Sequence, residues 1–324
     1  MNDELPPAPP MGPVDPLAAQ IAGYFQIDPV WQGVLTRPAA ETRAAIRAAL
    51  TSQAQPQPVE YVANYRIPVA GGDIGLRLYR PVPEPAAVIV WAHGGGFAFG
   101  SVDEVDSFAR VLARASNCAV ASVDYRLAPE HRFPTALHDV RDAVLWVAQH
   151  VSELAGGAVP LILGGDSAGA NLATIATRKL HEAGKCNLAA NILAYPSTQD
   201  ADAQSLRQFT PPFLSIAEIS WFFDQYLPAG TDRNTPDFAP MLAENLHIMP
   251  PTLIITAEHD IITAQAEAYG RKLRAAGVAV RYSRHPGMIH GFLTLEPFFP
   301  GAAGAAIGDI ADFIETHKAE RPVL

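Results

Sequence analysis

Polar and apolar positions along the chain fall into three textures. Between residues 14 and 50, Leu17, Ile21 and Phe25, and then Ala45, Ile46 and Leu50, recur at helical spacing, which predicts an N-terminal helical segment behind a proline-rich, frayed start over residues 1–14. From Val59 the period changes to two. Val59-Glu60-Tyr61-Val62 and Ile74-Gly75-Leu76-Arg77-Leu78-Tyr79 alternate on either side of Gly71-Gly72-Asp73 and predict an antiparallel hairpin. Beyond it, apolar runs at 87–91, 119–123, 161–163, 191–194 and 253–256 have the length and continuity of strands buried on both faces. Helical patterns at 105–115, 135–150, 168–181 and 263–276 sit between most of them, the last stopping at Gly277, and 278–283 is the final alternating run. Strands interleaved with helices predict an α/β fold, a mostly parallel sheet with helices on both faces.

One stretch breaks that rhythm. Residues 197–246 carry no strand pattern but are bounded by prolines and hold Phe209, Phe213, Leu214, Trp221, Phe222, Phe223 and Tyr226. A helical insertion is the reading, its aromatics serving either as the insertion's own core or as a lid over an apolar pocket. The chain then divides into an N-terminal cap segment (1–50), a first part of the α/β core (51–196), a helical cap insertion (197–246) and a second part of the core (247–324).

Composition narrows the classes of function. Hydrophobic residues make up 49% of the 324 positions and charged residues 17%, enough for a large buried core and incompatible with disorder. Lys and Arg number 23 against 33 Asp and Glu, and a net charge of −10 repels phosphate backbones and anionic lipid, so neither nucleic acid nor a stably bound membrane is expected as a partner. Apolar runs stop well short of a membrane span, and the acidic, proline-rich start lacks the basic and apolar regions of a secretory signal, which points to the cytoplasm. Cys118 and Cys186 belong to no zinc-type spacing and read as buried free thiols.

The candidate chemistry begins at Gly165-Asp166-Ser167-Ala168-Gly169, which follows an apolar strand and opens a helix. A strand that turns abruptly into a helix strains its central residue and tolerates no side chain two positions away on either side, hence the two glycines. The bend thrusts the Ser167 hydroxyl out of the sheet's carboxyl edge, beside the helix N-terminus and the Ala168 N–H. His93-Gly94-Gly95-Gly96 follows the strand 87–91, and three consecutive glycines suit a backbone that must approach a ligand and aim N–H groups at it. Gly95, Gly96 and Ala168, with Gly94 as a neighbour, are the expected oxyanion donors. No phosphate-loop run accompanies them, and His93 reads as a histidine locked at a strand end to shape the loop.

A serine nucleophile needs a base oriented by an acid, in the chain order Ser…Asp/Glu…His for an α/β hydrolase. His285 and His290 are expected in the loop region that follows the last alternating strand, 278–283. His290, between Met288-Ile289 and Gly291-Phe292, is the expected base and His285 the alternative. In the turn after 253–256, Asp260 is the expected acid and Glu258 the alternative; Asp166 reads as a turn-stabilising side chain.

With these residues in hand, the sequence resembles the hormone-sensitive-lipase-like family of bacterial α/β-hydrolase esterases. The resemblance rests on His93-Gly94-Gly95-Gly96-Phe97, Asp124-Tyr125-Arg126-Leu127-Ala128-Pro129-Glu130, Gly165-Asp166-Ser167-Ala168-Gly169 and Pro286-Gly287-Met288-Ile289-His290-Gly291-Phe292, in the family's order. It departs after Asp260, where Ile261-Ile262-Thr263-Ala264 stands in place of the family's usual Pro-Leu-Arg-Asp type run. The resemblance implies about eight mostly parallel strands with a helical cap, Ser167, Asp260 and His290 as a triad, and carboxylester hydrolysis. Tyr125, Arg126 and Glu130 are expected in a hydrogen-bonded structural loop. The expected reaction is acyl transfer on a small-molecule ester, short to medium in chain length, through an acyl-enzyme, with no cofactor or metal. Phe97, Phe209, Phe213, Leu214, Ile261 and Ile289 are the expected pocket lining. Amide or lactone hydrolysis on the same residues is the alternative, and a non-catalytic small-molecule receptor a more distant one. The sequence does not decide the oligomeric state; the edge of the strand 278–283 and the helix 302–317 are the surfaces through which a homodimer could form.

Overall fold

In the computed structural model, residues 11–51, 56–200, 206 and 213–318 are described. The period-two segment forms β1 (Tyr61–Val69) and β2 (Gly72–Arg80), paired antiparallel from Tyr61↔Arg80 to Val69↔Gly72 around Ala70-Gly71. The hairpin starts later and turns one residue earlier than its pattern suggests. Gly71, at φ 84°, supplies the left-handed conformation that this tight connection needs.

The apolar runs become β3 (Val88–Ala92), β4 (Ala119–Asp124), β5 (Leu161–Asp166), β6 (Ala190–Ala194), β7 (Thr252–His259) and β8 (Val280–Ile289). Among the described residues they join the hairpin in one eight-stranded sheet of order β1-β2-β4-β3-β5-β6-β7-β8. Only β2 runs against its neighbours; the pairs from β4 through β8 are all parallel. Alternate residues of β3 divide between two cores: Val88, Val90 and Ala92 on one face, Ala87 before the strand with Ile89 and Trp91 on the other. That is why these runs are apolar without interruption. Two faces of a buried strand leave no position for a polar residue.

Helices α5 (Thr135–Ala155), α6 (Ala168–Glu182) and α8 (Thr263–Ala275) cover the first face, and α4 (Asp106–Ser116) with α9 (Pro300–His317) the second. The N-terminal segment forms α1 (Pro16–Ile27), a single turn α2 (Pro29–Gln32) and α3 (Ala39–Thr51). The stretch 197–246 contributes α7 (Ile216–Tyr226), begun by a capping box in which Ser215 and Glu218 satisfy each other's backbone N–H groups. Val34 and Ile46 from the N-terminal segment form a small separate core with Ala98 and Phe99, and Trp221 and Phe222 of α7 pack against it.

Two expectations are corrected. The start is not loose from residue 12 onward: Gly12 N–H donates to Glu258 Oε1 at 2.9 Å and Asp15 N–H to Gly287 O at 3.0 Å, which straps this segment to the ends of β7 and β8. Residues 284–287 are not a loop after the last strand, because β8 continues to Ile289 beside β7. The apolar alternation is lost there because the buried positions 283 and 285 carry Ser and His, with the Ser283 hydroxyl bonded to His285 and to Asp309 of α9. Phe209 lies outside the described residues.

Candidate active site

The site assembles from turns at the carboxyl ends of β3, β5, β7 and β8. At the end of β5 the chain reverses through Ser167, held at φ 54° and ψ −118°, and α6 begins at the next residue. Only an over-determined turn keeps a non-glycine residue there. The determinant is contact: a Cβ at Gly169 would stand 2.0 Å from Ala92 O and 2.4 Å from His93 O, and one at Gly165 would stand 2.6 Å from Ala92 O. The start of α6 therefore lies against the end of β3, bringing the Ser167 turn beside the glycine loop.

Ser167 Oγ lies 2.9 Å from His290 Nε2, and His290 Nδ1 lies 2.7 Å from Asp260 Oδ2. Asp260 is buried, and its second oxygen accepts the Ile262 N–H at 3.0 Å, so the carboxylate is fixed from both sides. The Tyr195 ring packs 4.8 Å from the imidazole. The sequence-predicted serine, acid and base are thus neighbours in the expected order. The alternatives are employed elsewhere. Glu258 accepts from Gly12 and Gly287 N–H groups; burial works against its charge, but these two donors prevail and hold it below the usual carboxylate range. His285 faces Ser283 Oγ at 2.8 Å under α9, and burial lowers its pKa.

The glycine loop is shaped by hydrogen bonds that only the folded chain reveals. Asp166 Oδ1 accepts the Gly94 N–H at 3.0 Å and the Trp91 indole N–H at 3.2 Å, while Oδ2 accepts the Thr294 hydroxyl at 3.0 Å. Burial raises the Asp166 pKa against the opposing pull of His93, Thr294, Trp91 and Gly94. Gly94 is therefore corrected as an oxyanion donor: its N–H is spent on Asp166. Among the described residues, no such bond engages the N–H of Gly95, Gly96 or Ala168. His93 is structural as expected, its Nδ1 bonded to Gly94 O at 2.7 Å and its ring stacked on Tyr125, and burial lowers its pKa. Tyr125 donates to His93 O at 2.8 Å, Arg126 grips Asp139, and Glu130 pairs with Arg43 of α3.

A cavity of about 190 Å³ opens on Ser167 and His290. Of the expected lining residues, Phe97, Phe213 and Leu214 border it. Ile261 and Ile289 do not. Ile261 turns into the core on the α5 and α6 side, and Ile289, as the end of β8, points into the core on the α4 and α9 side; Ile262 takes the wall position instead. The sequence reading missed Trp31, Val34, Ile46 and Leu50 of the N-terminal segment, and Glu104. Helical spacing marks Ile46 and Leu50 as buried but not against what, and it does not reach Trp31 and Val34. Phe222 borders the cavity and sits where any Cβ on Gly96 would fall, 2.2 Å away, so α7 rests directly on the glycine loop. Phe97 stacks on Tyr226 at 3.9 Å, and Phe99 on Trp221 at 5.5 Å. Among the described residues no group of three His, Cys, Asp or Glu is placed to hold a metal ion.

Comparisons with known proteins agree with this layout. A family profile described as alpha/beta hydrolase fold matches residues 89–294. The chain is 36% identical over 286 residues to the carboxylic ester hydrolase LipN of Mycobacterium tuberculosis, covering 85% of this chain and 76% of that protein. It is 37% identical over 235 residues to the ethyl acetate hydrolase of Pseudomonas putida, covering 69% and 73%. Among solved structures, the hyperthermophilic esterase of the archaeon Pyrobaculum calidifontis superposes with a TM-score of 0.86 at 32% identity over 94% of this chain and 99% of that one. An ester hydrolase from the metagenome of Lake Arreo, complexed with a bipyridine phosphonate derivative, gives 0.87 at 32% identity with the same coverage.

Proposed function

Since the chain belongs to the hormone-sensitive-lipase-like family of α/β-hydrolase-fold carboxylic ester hydrolases, we propose that it cleaves small esters by two-step acyl transfer, with Ser167 as nucleophile, His290 as general base and Asp260 as its orienting acid. The observation that carries the reading is the pair of contacts on one imidazole, 2.9 Å to the serine hydroxyl and 2.7 Å to the carboxylate. With Nδ1–H donated to Asp260, Nε2 is left as the acceptor, and the Ser167 proton moves to it as Oγ attacks the ester carbonyl carbon. The carbonyl oxygen becomes an oxyanion facing the N–H groups of Gly95, Gly96 and Ala168, each worth about 2.7–4 kcal/mol to the transition state. As the tetrahedral centre collapses, the alcohol oxygen leaves with the proton returned from Nε2. Water then gives a proton to the same nitrogen, attacks the acyl-enzyme, and releases the acid as Ser167 recovers its hydrogen.

The size of the cavity supports a preference for short acyl chains. About 190 Å³ lies below the ~300–1,000 Å³ of pockets that take drug-sized ligands.

An organophosphonate carrying a good leaving group tests the nucleophile. It should add one phosphonyl group to the parent protein at Ser167 and none to Ser167→Ala, whose ester turnover should fall by about 10⁴-fold or more. Labelling retained in the variant would place the nucleophile elsewhere.

A further inference from the structure

The cavity wall holds acidic side chains that proton transfer at Ser167 does not use. Asp166 has both oxygens committed to Gly94, Trp91 and Thr294, and Glu218 spends Oε2 on the cap of α7. Glu104 is placed differently. It lies in the turn leading into α4, its backbone N–H donates to Ser101 O at 3.2 Å, and its Oε1 accepts the Ser101 hydroxyl at 2.9 Å. Among the described residues, no hydrogen bond engages its Oε2.

Its position is a boundary. Glu104 borders the catalytic cavity together with Ile46 and Leu50 of α3, and it also borders a separate polar hollow of about 550 Å³ lined by Arg43, Arg47, Asp124 and Arg126. The cationic neighbour, Arg47, is already paired with Asp103, and Asp124 and the Tyr125 hydroxyl approach from the end of β4. Burial pushes the Glu104 carboxyl up to about 7, against the pull of Ser101 and Arg47. Only one of its two oxygens is engaged by the protein, at a half-buried position between an apolar cavity and a polar hollow, which leaves the other to accept from a donor that enters.

We propose that Glu104 is a specificity-determining residue: its carboxyl receives a hydrogen-bond donor, a hydroxyl or an ammonium group, on the part of the ester that lodges beneath α3. The enzyme then favours esters carrying such a donor over plain alkyl esters of equal length. This rests on the ester-hydrolase reading of the same cavity but not on the identity of the nucleophile. An alkyl substrate leaves the carboxyl unpaired, whereas a donor-bearing one satisfies it, and the difference appears in kcat/KM.

The test is a matched set of phenyl esters whose acyl chains have equal length and end in methyl, hydroxyl or ammonium, assayed on the parent, Glu104→Gln and Glu104→Leu. In the parent, at least one donor-bearing ester should exceed the methyl ester by about tenfold or more in kcat/KM. In Glu104→Leu that ratio should collapse for both donors. The near-isosteric Glu104→Gln separates the two ligand chemistries: an ammonium preference is lost with the charge, whereas a hydroxyl preference persists on the amide oxygen. A parent ratio near one for both donors, or a ratio unchanged in Glu104→Leu and Glu104→Gln alike, overturns the inference. Ser167→Ala is run on the methyl ester in parallel, and undiminished turnover there would count against the nucleophile and leave the Glu104 comparison standing.

Discussion

Asp166 and Asp260 do parallel work on different targets, one on a backbone and one on an imidazole. Asp260 fixes the ring of His290, while Asp166 ties the Gly94 N–H of one loop to the Thr294 hydroxyl that lies just past His290. Removing that tie should act through geometry rather than chemistry. Asp166→Ala is expected to lower kcat by about 10²-fold, since small misplacements of donors cost that much, whereas Asp166→Asn, which keeps an acceptor for Gly94, should recover most of it. Steady-state kinetics on one activated ester compares the two; equal losses in both would show that charge, not loop placement, matters at 166. Much at this scale is legible in sequence. Ser167 and His290 are marked by their flanking glycines and by chain order. Gly94 is misread because three adjacent glycines look alike until a carboxylate 72 residues away claims one of their N–H groups. Ile261 and Ile289 are misread because the face a residue presents depends on where its strand stops, and β8 outruns its own alternation.

At the scale of elements, the parallel strands and their helices announce themselves by continuous burial, and the insertion by the lack of any strand pattern. What the pattern leaves unsaid is which surface the aromatic residues of α7 meet. Phe222 borders the cavity and packs with Trp221 on the small core around Phe99, while Tyr226 stacks on Phe97 in the main core. The N-terminal helices do the same from the other side. Trp31, with Phe213, Leu214 and Glu218, is shared between the catalytic cavity and an adjoining hollow of about 320 Å³. Trp31→Ala should join the two spaces and raise the ratio of octanoate to butyrate hydrolysis by about fivefold or more, each accommodated methylene contributing to transition-state binding. A chain-length profile on p-nitrophenyl esters reads it, and an unchanged profile would mean that Trp31 is not the barrier to longer chains.

At the scale of the whole molecule, Glu104 links stability to pH. Its folded pKa, about 7, stands above the 4.5 of an unperturbed glutamate, so between these values the folded protein holds a proton that the unfolded chain has released. Stability from this group is complete below pH 4.5 and declines as pH rises toward 7, after which it is level. Arg47 pulls the other way and Asp124 adds to the effect. Glu104→Gln cannot ionise, so its melting temperature relative to the parent should climb between pH 5 and pH 8. Parallel thermal scans check this, and a constant difference would mean that the carboxyl is already charged throughout. The carboxyl's burial is invisible in the sequence, where Val102-Asp103-Glu104-Val105 looks like any solvated turn.

The carboxylate of Glu258 holds Gly12 and Gly287 together, three residues ahead of His290. Whatever is fastened to the amino end, a purification tag or a tether to a solid support, is thereby mechanically coupled to the base, so tension at that end reaches the reacting atoms.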